Sequence, residues 1–186
     1  MRKLTTLVAA VATAAGLGLA AAPVSAGTEN AAAAPYCGLV WGSLTKSGGA
    51  LSADPITDIR AGRHDCYDRL VVDIDGGENG FTVSYVDTVY AEGTGDPIPL
   101  RGGAFLAISV LNPAYDEGGA TYDPANPAEL VNVTGWQTFR QAAWGGSFEG
   151  YTTIGLGVRA RLPFRVFSLA GPGTDSRVVI DVAHKW

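Results

Sequence analysis

Ten short runs of strand-forming residues, each closed off by Gly, Pro, Asn or Asp, govern what this chain can fold into. They are Leu39 to Leu44, Thr57 to Arg63, Arg69 to Ile74, Phe81 to Val89, Ala104 to Leu111, Glu129 to Val133, Gln137 to Ala143, Tyr151 to Leu156, Phe164 to Leu169 and Arg177 to Val182. Side chains alternate along a strand, so Phe81, Val83 and Tyr85 share one face while Thr82 and Ser84 take the other. No segment sustains the helical period that a crossover between parallel strands requires. The one helical alternative lies within Gln137 to Ala143, where Phe139, Ala142 and Ala143 would share a helical face. The expected fold is all-β, a sandwich of two facing sheets with about 8–10 short strands.

The first residues, Met1-Arg2-Lys3, put positive charge ahead of an apolar run from Leu7 to Ala22. Pro23 and the small-x-small site Val24-Ser25-Ala26 follow, which makes residues 1–26 a secretory signal peptide cleaved after Ala26. A retained anchor is the competing reading, but the run is shorter than the roughly 20 residues that span a bilayer. No Cys follows the apolar run directly, so lipid attachment is not expected. Residues 27–35 lack apolar periodicity and read as a disordered lead-in, and 36–186 as a single domain.

Loss of Arg2 and Lys3 with the leader takes the 13 basic residues to 11 against 18 acidic ones, and the formal net charge from −5 to −7. Nucleic acid and anionic membranes both require a cationic footprint, so neither is an expected partner. Two cysteines in an exported domain, Cys37 and Cys66, are most simply a disulfide. The loop of about 30 residues between them gives about 3.5 kcal/mol in the chain-entropy treatment. Two free buried thiols or a metal pair are the alternatives, and the metal pair lacks further ligands at the usual spacing.

An internal echo is visible in Arg69-Leu-Val-Val-Asp73-Ile and Arg177-Val-Val-Ile-Asp181-Val. Each reads as a central strand of one of the two facing sheets. Its Arg and Asp, four residues apart, project from the same side, where such pairs usually play a structural part.

Candidates for chemistry are few. The histidines are His64 and His184. Were the echoing strands neighbours, the two would converge with Asp65 as half of a catalytic dyad; otherwise they are surface or hydrogen-bonding residues at strand ends. Gly145-Gly-Ser147-Phe-Glu149-Gly150 lacks the second Gly of a nucleophile elbow and reads as a hairpin turn. Asp73-Ile-Asp75-Gly76-Gly77-Glu78 and the acidic stretch from Tyr115-Asp116-Glu117 to Tyr122-Asp123 hint at calcium loops, but the first lacks a ligand at Gly77 and a bidentate Glu. No metal, cofactor or catalytic residue is therefore assigned. Five aromatic residues, Trp136, Phe139, Trp144, Phe148 and Tyr151, crowd into 16 positions among glycines. Trp136, Trp144 and Tyr151 are the candidate ligand-binding residues, since such rings stack on sugars or partner side chains. Core packing accounts for most of them equally well.

Arg161-Leu-Pro163-Phe164-Arg165-Val166-Phe167-Ser168-Leu169-Ala-Gly-Pro172 followed by Ser176-Arg177-Val-Val-Ile-Asp181-Val182 resembles the closing part of an AMIN-type domain. With Thr57 to Asp65, Tyr67 to Asp73, Tyr85-Val86-Asp87, Phe148-Glu149-Gly150 and Gly155-Leu156-Gly157, the chain over roughly 56 to 184 resembles the AMIN-like domain of secreted proteins and lipoproteins from high-GC Gram-positive bacteria. The resemblance implies a sandwich of two facing sheets. AMIN domains proper accompany cell-wall amidases and envelope secretins as localisation modules associated with peptidoglycan, whereas residues 1–186 contain no amidase or secretin domain. The AMIN-like family lends no catalytic residues, so peptidoglycan binding is an analogy of fold.

The resulting expectation is a secreted, monomeric, non-enzymatic binding module of the cell envelope, outside the membrane, whose ligand is cell-wall glycan or an envelope protein. The rivals are a secreted hydrolase using carboxylates or His64, and a small-ligand carrier or inhibitor, which a closed barrel with an apolar cavity would favour.

Overall fold

The computed structural model describes residues 34–186. The expected leader and most of the expected lead-in lie outside them. A single 3-10 turn, Tyr36–Gly38, comes first. Thirteen strands follow: β1 Lys46–Gly49, β2 Ile56–Arg63, β3 Tyr67–Ile74, β4 Gly80–Val86, β5 Val89–Tyr90, β6 Pro97–Ile98, β7 Ala104–Val110, β8 Tyr115–Asp116, β9 Gly119–Ala120, β10 Phe139–Phe148, β11 Tyr151–Val158, β12 Phe164–Ala170 and β13 Ser176–Ala183. Among the described residues there is no α-helix.

All pairings are antiparallel. One sheet has the order β1-β4-β7-β11-β10, the other β12-β13-β3-β2, and β5-β6 and β8-β9 are separate two-stranded ribbons. Period-two alternation supplies the core from both sheets. Leu70, Val72 and Ile74 of β3 and Val178, Ile180 and Val182 of β13 point inward from one side. Val83, Leu106, Ile108, Ile154 and Leu156 meet them from the other. The expected all-β sandwich is therefore the architecture, with two separate sheets in place of a closed barrel.

The outer faces of the two sheets differ. Across the five-stranded sheet runs the segment that includes β6 and leads to Arg101, lying over glycines of β10 and β11. A β-carbon at Gly155 would stand 2.9 Å from Leu100 Cδ1, one at Gly145 3.0 Å from Ile98 Cδ1, and one at Gly157 would collide with the Arg101 carbonyl. On the four-stranded sheet, a β-carbon at Gly62 would find only His64 Nε2 within 4 Å, at 3.9 Å. This second face is the open one.

Several expected elements differ. Leu39 to Leu44 is not a strand: Gly42 turns the chain at φ +66°, and Val40 and Leu44 are exposed. One backbone bond, from the Phe164 N–H to the Gly42 carbonyl (2.8 Å), lays this segment along the edge of β12. Glu129 to Val133 is a loop whose Leu130 N–H donates to Ala142 O. Gln137 to Ala143 belongs largely to β10, not to a helix. The run Phe81 to Val89 breaks after Val86. The expected turn at Gly145 to Gly150 narrows to Glu149-Gly150, both at positive φ (50° and 84°), because β10 continues through Phe148. The two echoing strands, expected in facing sheets, are paired neighbours in one sheet.

Candidate functional site

That pairing brings the histidines together without making a dyad. His184 is buried, and its Nε2 donates to the His64 backbone carbonyl at 3.0 Å while Nδ1 lies 2.9 Å from Thr138 Oγ1. With the proton on Nε2, Nδ1 accepts from the Thr138 hydroxyl. The His64 ring is exposed and stacks on Tyr67, centroids 4.5 Å apart. A hydroxyl beside an imidazole invites comparison with a nucleophile and base, and buried Asp68 is close by. Asp68 Oδ2, however, accepts from the backbone N–H groups of Thr138 (2.8 Å) and Phe139 (2.9 Å) and does not orient the imidazole. Asp68, Thr138 and His184 are all fully or nearly fully buried, so no substrate reaches the hydroxyl. The node fastens the start of β10 to β3 and to the end of β13.

The aromatic cluster does not form one row. Trp136 stacks on Phe139 at 6.0 Å, and Trp144 tilts against Tyr122 at 5.3 Å; both are half-buried against the core. Tyr151 is exposed beside Phe148, its cross-strand partner at the hairpin end. Trp136 precedes β10 and Tyr151 follows its far end, so roughly 30 Å of strand separates them.

In the suggested calcium loops, the Asp73 carboxylate is taken by Arg60, and Asp116 Oδ1 accepts the Gly118 N–H. Among the described residues no three His, Cys, Asp or Glu side chains gather as a metal-binding group. Cys37 and Cys66 are bonded to each other.

The densest arrangement of charged and aromatic groups lies on the open face of the four-stranded sheet. Antiparallel pairing of two Arg-x-x-x-Asp strands sets Arg69 opposite Asp181 and Arg177 opposite Asp73. Asp181 is fully buried; Arg69 holds it through Nε (2.6 Å) and Nη2 (2.8 Å), and Arg165 of β12 through Nε (2.8 Å). Arg165 also stacks on Trp41 at 4.5 Å and on Phe167 at 4.9 Å, with Tyr67 at 5.7 Å. Arg69 lies over Tyr67 and Phe167 as well. The hydrogen bond with Asp181 raises the Arg69 pKa above its ordinary value against the opposing pull of burial. Trp41, Phe167 and Arg165 are not among the site residues expected from the sequence; the signal there is the arginine between aromatic residues in Phe164-Arg165-Val166-Phe167.

Asp181→Ala would leave two arginines without their shared acceptor. Removing one member of a buried ion cluster costs about 3–5 kcal/mol, and the partial exposure of both guanidinium groups places this variant near 3 kcal/mol. Urea denaturation checks it; an unchanged midpoint would show that this ion cluster contributes nothing to stability.

The family model of the AMIN-like domain matches residues 54–184. The chain belongs to the AMIN-like family. Neither the curated proteins nor the solved structures yielded a match. AMIN-like domains occur in proteins of the cell envelope or in secreted proteins. The AMIN-like segment contains β2–β4, β7 and β10–β13, and so every strand of the four-stranded sheet. Trp41 and Cys37 lie before its first residue. The aromatic cover over Arg165 is thus partly supplied by the segment that the disulfide ties down.

Proposed function

We propose that this AMIN-like domain is a secreted, non-enzymatic binding module of the cell envelope, exported by the leader 1–26, and that it holds a wall glycan or an envelope protein against the open face of its four-stranded sheet. The observation that carries this reading is the contrast between the sheets. One outer face is covered by the segment around Leu100, whereas the other presents arginines and aromatic rings around Asp181. Arginine and aromatic side chains are the groups in which binding energy concentrates, because rings bury large areas and a guanidinium both stacks on rings and donates several hydrogen bonds. The buried His184 and Thr138 lend no support to hydrolysis, and the filled core of a two-sheet sandwich lends none to a carrier.

Sedimentation of the purified protein with isolated cell walls tests the glycan version. Retention is expected to exceed that of an unrelated acidic secreted protein, and to fall roughly tenfold in Arg165→Ala, the loss of about 1.4 kcal/mol that truncating a binding hot spot typically exceeds. Retention no better than the control would sink it. Exposed Phe148 and Tyr151 provide the other arm: loss in Tyr151→Ala with full retention in Arg165→Ala would move the site to the β10–β11 hairpin.

A further inference from the structure

We propose that the recess at the centre of the open face binds a carboxylate borne on a short aliphatic body, as at the free end of a peptide. This deepens the preceding reading, since the recess lies on the face assigned there, and it names the chemistry recognised. Arg60, Arg69, Arg177 and His64 rim a recess of about 260 Å³, and no acidic residue lines it. Val71 and Val179 form its floor and Leu169 part of its wall.

Arg177 is the group that asks for a ligand. Of the four arginines on this face, Arg60, Arg69 and Arg165 each pair with an aspartate, and Arg177 does not. The acid opposite it in register, Asp73, is gripped by Arg60 through Nε at 2.6 Å and Nη2 at 2.9 Å. Among the described residues the Arg177 side chain makes one hydrogen bond, from Nη2 to the Ala170 carbonyl at 3.3 Å, and its Nε is buried without a partner. A buried donor left unpaired is destabilising, and a guanidinium offers two parallel N–H groups that fit the two oxygens of a carboxylate.

The floor decides which anion. Arg60 and Arg69 already spend Nε and Nη2 on Asp73 and Asp181, so a phosphate would turn remaining oxygens toward Val71 and Val179, which offer no donor. A carboxylate places both oxygens on Arg177 and sets its aliphatic carbons on the valines. Gly62 lines the recess, and a β-carbon there has only His64 Nε2 within 4 Å, so the backbone leaves room at this position that a larger residue would take up.

Titration of the purified protein with N-acetyl-valine, followed by amide chemical shifts, tests the assignment. The acid is expected to shift residues of β2, β3 and β13, and N-acetyl-valinamide to bind at least tenfold more weakly, about 1.4 kcal/mol, within what a charge-assisted hydrogen bond supplies. Arg177→Ala and Gly62→Leu are each expected to abolish the response, and Arg177→Lys, which keeps the charge without the fork, to weaken it. Unchanged far-ultraviolet dichroism verifies that each variant folds. Equal binding of acid and amide, equal binding of inorganic phosphate, an unaffected Arg177→Ala, or no response to any probe would each overturn the proposal. Wall retention without N-acetyl-valine binding would overturn the carboxylate site and leave the envelope-binding reading standing.

Discussion

Asp68→Ala is expected to lower the stability of the domain by about 4 kcal/mol, because hydrogen bonds to a charged group contribute roughly 1.5–3 kcal/mol each and two are lost. Asp68 is fully buried on the inner side of β3, and its Oδ2 accepts the N–H groups of Thr138 and Phe139. Both donors would be stranded without water. They belong to the residues at which the chain enters β10, so the carboxylate ties the four-stranded sheet to the five-stranded one. Asp68→Asn separates the two contributions. An amide oxygen still accepts both N–H groups, while the amide nitrogen occupies the place of Oδ1, which has no partner. The Asn variant is expected to lose about 2 kcal/mol, less than Asp68→Ala, since a neutral acceptor keeps both bonds while the amide N–H groups lie buried without an acceptor. Urea unfolding of both variants checks this, and equal losses would mean that the charge matters and the acceptor does not.

Removal of the disulfide by the double replacement Cys37→Ala, Cys66→Ala is expected to cost about 3.5 kcal/mol, the loop-closure entropy for a separation of 29 residues. The bond joins the 3-10 turn to the link between β2 and β3, where the Cys66 carbonyl also accepts the His184 N–H. Between the anchor and β1 the chain is held to the sheet by few contacts: Gly42 to Phe164, Ser43 to Arg161, and Trp41 under Arg165. The released variant should therefore show an altered tryptophan signal before global unfolding. A reducing agent should reproduce the variant's lowered midpoint, and no effect of reduction on the parent would refute this account.

The strands that were legible are those in which alternation and β-branched residues agree. In β3 and β13 the inward Leu70, Val72, Ile74 and Val178, Ile180, Val182 alternate without interruption. β1 gave no signal, since Lys46-Ser-Gly-Gly49 carries no apolar side chain. Its reason is tertiary: a β-carbon at Gly48 would stand 3.0 Å from the Phe81 ring. The helical spacing of Phe139 and Ala142 arises from a bulge between Phe139 and Gln141, which shifts the alternation so that residues three apart both face inward. Composition marked Leu39 to Leu44 as a strand because it counts Val40 and Leu44 as apolar, whereas both point to solvent.

The candidate face was half legible. The repeated Arg and Asp were visible, but which Arg meets which Asp depends on register, and the two strands are 108 positions apart, as Arg69 and Arg177 are numbered. Trp41 reaches the face only because the disulfide and the edge of β12 hold its segment there.

That repeated motif is a charge palindrome. Read antiparallel, Arg-x-x-x-Asp complements Arg-x-x-x-Asp, and so β3 matches a second β3 as well as it matches β13: Arg69 would face Asp73 and Leu70 would face Val72, twice over. Inside the finished sheet the motif favours one register, because a slip by two residues would separate Arg69 from Asp181. Before β13 arrives, the same symmetry gives two unfolded chains a ready template for each other. The order of charges that secures one molecule is thus also the one that sets its refolding in competition with pairing between molecules, and dilution favours the correct mate.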